Sequence, residues 1–143
     1  MEEKYIIGYK SAKGCIVVLQ LYGRNNLERL VVDINYAKYR GEEAIVLGIR
    51  DKLTGDKKQS IESDRDSKFV YEVGKIVKVN NYNPDIEEVC APGIHFFLSK
   101  EAAMYYNFDI QDNYTGEYKK WDKNGQLWEQ RNYVDGKRNL YTT

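Results

Sequence analysis

Cys90 and His95 are the residues in this chain that could pair as a nucleophile and its base. His95 is the only histidine, and the two stand five positions apart. A thiolate–imidazole pair must come within hydrogen-bond reach to react. A spacing of five through Pro92-Gly93 permits that approach without imposing it. The same pair falls short of a zinc site, which takes three or four ligands on rigid elements. Cys15 is remote, and neither a C-x-x-C pair nor a second histidine exists. No glycine loop for phosphate, no HExxH and no serine elbow appears. Catalytic residues, a metal and a cofactor are therefore not expected.

Ligand binding without turnover fits the residues better. Lys10, Lys38, Arg40 and Arg65 flank strands or loops. Guanidinium forks and ammonium groups suit phosphate. Tyr9, Tyr71, Phe96 and Tyr106 offer stacking faces, and His95 joins them as a ligand contact. Read one at a time, the same side chains are a solvated charge set and a core aromatic set. Their convergence is what would make a site.

The elements that must position them can be read coarsely. Lys4–Tyr9, Cys15–Tyr22, Ala44–Ile49 and Ile94–Leu98 read as strands. Phe69–Val79 alternates on either side of Gly74 and reads as two strands around a turn. Leu27–Tyr39 fits a strand or a helix equally. The charged run 56–68 reads as an exposed loop. Ser99 is a helix N-cap candidate with Glu101 in the first turn, and the helix runs to Asn107. Beyond Asp109, alternating runs are separated by Asn124-Gly125 and Asp135-Gly136, the strongest short-range hairpin signals. The expectation is an α+β, β-rich, mainly antiparallel fold with one clear helix. Residues 1–108 form its domain and 109–143 a β-meander appendage.

Composition narrows the partners. The 22 Lys+Arg balance 22 Asp+Glu, and the segment 109–143 holds six of each sign. A non-specific nucleic-acid binder usually shows a basic surplus. The N-terminal MEEKYIIGYK lacks the apolar core of a signal peptide, and no window approaches a membrane span. Two cysteines 75 positions apart make no disulfide framework, which points to the cytoplasm. Thirteen tyrosines favour strands and contact surfaces. The meander's Tyr118, Trp121, Trp128 and Tyr133 leave room for a homo-oligomer.

Four segments carry a family resemblance: YIIGYKSAKGCIVVLQL (5–21), YAKYRGEEAIVLGI (36–49), SDRDSKFVYEVGKIVKVNNY (63–82) and EVCAPGIHFFLSKEAAMYY (88–106). They resemble an uncharacterised domain of phages and large DNA viruses, also found beside bacterial pentapeptide repeats. GEYKKWDKNGQLWEQRNYVDGK (116–137) resembles a MORN-type repeat. Gly93, Phe96 or Phe97, Ser99, Ala102 or Ala103 and Tyr106 are similar to the strand–helix joint of ADP-ribosyltransferase folds, which shapes a dinucleotide pocket. These resemblances imply a phage or mobile-element binding protein, one version being counter-defence by sequestering a nucleotide-derived signal. The alternatives are an ADP-ribosyltransferase-like enzyme, or an adaptor that inhibits a host protein.

Overall fold

A computed structural model describes residues 5–66 and 68–139. The fold is mainly antiparallel β with one short helix. Strand β1 (Ile6–Ala12) turns at Lys13-Gly14 into β2 (Cys15–Asn25), and both turn residues have positive φ, 49° and 73°. A hairpin turn of this hand matches the strand twist. Strand β3 (Tyr39–Asp51) lies antiparallel along β2, with a register shift between Val18 and Leu19. The other edge of β3 takes two short strands in tandem. Strand β7 (Ile94–Phe96) pairs with Tyr39–Gly41, and β6 (Ile76–Lys78) pairs with Glu43–Ile45.

The sheet closes on itself at one end. Tyr9 of β1 and Phe97 exchange two backbone hydrogen bonds of 2.8 Å. The circuit β1–β2–β3–β7 then returns to β1, removing one open sheet edge. Two glycines make the closure tight. A Cβ at Gly8 would sit 2.6 Å from the Phe96 ring, and one at Gly41 would sit 2.9 Å from Leu21. Phe96 fills the interior with Leu19, Leu21, Tyr39, Val46 and Ile94, all buried.

Three sequence expectations change here. The helical part of the expected α+β fold is only α1 (Lys100–Tyr105), six residues capped by Ser99, whose Oγ accepts from the Ala102 amide at 3.1 Å. Leu27–Lys38 is neither helix nor strand but a loop of turns. The charged run 56–68 contains β4 (Ser60–Glu62), which pairs with β5 (Val70–Glu72). Strands β5 and β6 therefore join different sheets across Gly74, whose φ is 85°.

Strands β8 (Gly116–Trp121), β9 (Leu127–Val134) and β10 (Lys137–Arg138) form the meander. Lys4 of the first expected strand, and residues 140–143 of the expected meander, lie outside the described residues. The β8–β9 turn docks into the loop 27–38. The Val32 and Asp33 amides donate to the Asn124 carbonyl at 2.8 and 3.1 Å, and the Lys38 amide donates to the Lys123 carbonyl at 3.1 Å. Arg29 reaches the Lys123 carbonyl and Asn124 Oδ1, and Tyr36 stacks on Trp121 with centroids 4.5 Å apart. A lone hairpin is marginal in water, and these contacts supply its support. No helix among the described residues is long and apolar enough to cross a membrane.

Candidate functional site

A cavity of about 720 Å³ opens beside the closed end of the sheet. This lies within the range of small-molecule sites. Its walls come from β1, the end of β3's leading loop, the loop before β5, the loop 80–93, β7 and the residues after α1. Barrel closure is what puts β1 next to β7, and so Lys10 next to His95. The Lys10 ammonium donates to the His95 carbonyl at 3.2 Å and lies 5.8 Å from the centroid of the Tyr71 ring. Burial, then Lys38 and Arg65, lower its proton affinity to a pKa of about 8, with Asp64 opposing. Lys38 reaches the cavity from the other side, donating to the Tyr106 hydroxyl at 2.8 Å.

His95 is held as a neutral ring. Its Nε2 lies 3.0 Å from the Val89 carbonyl. A carbonyl only accepts, so Nε2 carries the proton and Nδ1 keeps its lone pair. Burial first, then the Lys38 and Lys10 charges, push the imidazole down to about 3. Among the described residues no hydrogen bond joins His95 to Cys90. Cys90 is exposed at the cavity rim rather than buried as a small core residue, and Cys15 is the one inside the core.

The wall formed by 80–93 is held by a buried cation. Arg40 is fully buried, and its side chain donates to the carbonyls of Glu88 (2.6 Å), Asn83 (2.7 Å), Pro92 (3.3 Å) and Asp85. The Tyr82 ring lies near two guanidinium groups, 5.0 Å from that of Arg40 and 5.1 Å from that of Arg24. Gly93 has to pass close to Arg40, since a Cβ there would meet the Arg40 Cβ at 2.8 Å. The loop's carbonyls, which need partners once turned inward, share one side chain as a donor, alongside Asn26 Nδ2 on Glu88 and the loop's own amides on Asp85 and Pro92.

With this geometry in view, the match to other proteins is short. Residues 1–103 match the model of a family of unknown function, DUF5758. The chain belongs to that family. The matched part of this DUF5758 chain takes in every strand of the closed sheet and most of α1, and it stops before the meander. No match was found among curated proteins or among solved structures.

Of the nine residues singled out from the sequence, the DUF5758 fold brings six to the cavity: Lys10, Lys38, Arg65, Tyr71, His95 and Tyr106. Tyr9 packs instead against Phe97, Ala102 and Ala103. Arg40 and Phe96 face the interior, where one ties the loop and the other fills the core. Sequence reasoning missed Asp64, whose Oδ1 accepts from the Lys13 amide at 2.7 Å, and chose Phe96 as the ligand contact where Phe97, whose ring packs 5.3 Å from Tyr106, lines the cavity. It also missed Lys78 and the two asparagines after Val79. Period-2 alternation from His95 would have flagged Phe97.

Among the described residues no carboxylate lies within 4 Å of the ammonium of Lys10 or Lys38 or of the Arg65 guanidinium. Three cations around one cavity, whose lining also includes Asp64 and Asp66, stand beside the Tyr71, Phe97 and Tyr106 rings and can hold an anion that carries a flat ring. Such an arrangement neutralises charge on binding and leaves a neutral imidazole to accept a hydrogen bond.

Proposed function

We propose that this protein is a non-enzymatic binding protein that holds a small nucleotide-like anion in the cavity. In its most concrete form it serves a phage or mobile element by sequestering a nucleotide-derived signal of the host. The observation that carries the reading is the convergence of Lys10, Lys38 and Arg65, without carboxylate partners, on a cavity walled by aromatic rings. Cations of this kind favour phosphate, and a ring stacks on base faces without reading base identity. Turnover is disfavoured by His95: its Nε2–H is engaged by Val89 and its pKa lies far below neutrality. A general base works best with a pKa near the operating pH.

The test is a calorimetric titration of the full chain with ADP-ribose and with a cyclic dinucleotide, followed by denaturation and chromatography of the ligand. Saturable binding with the ligand recovered intact supports the reading. Recovery of a cleaved product, or no heat with either ligand class, overturns it.

A further inference from the structure

We propose that Lys10 captures carbonyl compounds: it forms a reversible imine with an aldehyde that carries a phosphate, and Lys38 and Arg65 hold that phosphate. The inference shares the cavity with the reading above and does not depend on a nucleotide being its occupant.

The surroundings of Lys10 carry the argument. Its Nζ donates to a neutral carbonyl, that of His95. Among the described residues no carboxylate pairs with it. The acid on this wall nearest to it in effect, Asp64, has one oxygen engaged by the Lys13 amide. The other groups near Lys10 include the cations Lys38 and Arg65, the neutral His95 ring and the Tyr71 phenol, and the carboxylate Asp66 and the cation Lys78 line the same cavity. A lysine desolvated beside other cations is the form of amine that attacks carbonyls at neutral pH. With its pKa at about 8, Lys10 presents roughly 300-fold more neutral amine at pH 7 than an ordinary lysine. The same neighbours that disfavour its proton attract a phosphate, so one arrangement both activates the amine and recruits the aldehyde.

The step balances without a further reactant. The neutral amine adds its lone pair to the aldehyde carbon, giving a carbinolamine. The carbonyl oxygen then leaves as water with both amine hydrogens, and a carbon–nitrogen double bond remains. Hydrolysis reverses it, so the captured compound is released unchanged.

The experiment uses pyridoxal 5′-phosphate as the probe, in limiting amount, on the full chain. Borohydride fixes any imine, and peptide mass spectrometry locates it. The expected result is labelling of Lys10 at least about tenfold above the exposed lysines, rising with a midpoint near pH 8 rather than near 10.5. Pyridoxal, which lacks the phosphate, should label Lys10 less. Lys38→Glu should weaken labelling by the phosphate probe and move the midpoint upward, because a cation is replaced by an anion. Lys10→Arg, which keeps the charge, should abolish the site-specific label. The map on the unaltered chain decides the matter even if a variant fails to fold. Label spread evenly over exposed lysines, an ordinary lysine pH profile at Lys10, or equal labelling by pyridoxal overturns the proposal.

Discussion

Lys38 donates a hydrogen bond of 2.8 Å to the Tyr106 hydroxyl, and its ammonium lies 4.7 Å from the centroid of the same ring. The pair links the loop ahead of β3 to the residue after α1 across the cavity mouth. It fixes a cation beside a stacking face without neutralising it. Tyr106→Phe keeps the ring and removes the acceptor, so ADP-ribose affinity should fall about fivefold. Tyr106→Ala removes the ring as well and should cost about tenfold or more. Calorimetry on both variants checks the order. Equal losses would mean that the ring face contributes nothing.

Arg40 should matter for stability rather than for direct ligand contact. Arg40→Met leaves the Asn83 carbonyl without its donor and takes one of two donors from those of Asp85, Glu88 and Pro92, which keep the Glu88 amide, Asn26 Nδ2 and the Asn83 amide; it should lower stability by about 2 kcal/mol. Arg40→Lys should recover little, since a compact ammonium cannot span carbonyls of Asn83, Asp85, Glu88 and Pro92 together. Chemical denaturation measures both. An unchanged midpoint for either variant would refute this role.

The meander should support the site through its first turn. A Cβ at Gly125 would lie 2.4 Å from the Asp33 carbonyl oxygen, and φ there is 85°. Gly125→Ala should undock the turn. Hydrogen exchange at the Val32, Asp33 and Lys38 amides should then accelerate at least about tenfold. Protection that stays as in the unaltered chain would show that the loop 27–38 holds itself.

His95 gives the fold a pH dependence with a definite sign. Its pKa is about 3 when folded, against the ordinary imidazole value of 6.5. Between those values the unfolded chain binds the extra proton, so the stability contributed by the neutral ring is full above pH 6.5 and drains away as pH falls towards 3. His95→Gln should flatten the melting temperature across that window relative to the unaltered chain. Parallel pH profiles would contradict the assignment.

Much of this molecule was legible because local signals agreed with the final contacts. The Asn124-Gly125 and Asp135-Gly136 turns and the Ser99 cap all read correctly, since each rests on neighbours in sequence. Leu27–Lys38 was illegible because its backbone partners are the carbonyls of Lys123 and Asn124, roughly 90 residues away. Strand β4 was hidden for a similar reason: Ser60–Glu62 has only three residues, too few to show alternation. In the site, Phe96 and Phe97 are adjacent, and a strand sends neighbours to opposite faces. Composition cannot say which one faces the core, and Phe96 does. Arg40 looked like a phosphate fork. The demand of the loop 80–93 for a donor appears only when its carbonyls are seen pointing inward.

The central claim is that Lys10, Lys38 and Arg65 make this cavity an anion-binding site. Native mass spectrometry of the full chain purified from a bacterial host tests it most directly, beside a Lys10→Glu/Lys38→Glu double variant shown to be folded by its melting curve. The prediction is a non-covalent mass of several hundred daltons on the unaltered chain, or one restored by adding ADP-ribose, and absent from the double variant. The same ligand occupancy on both chains, or none on either with ligand added, would contradict it.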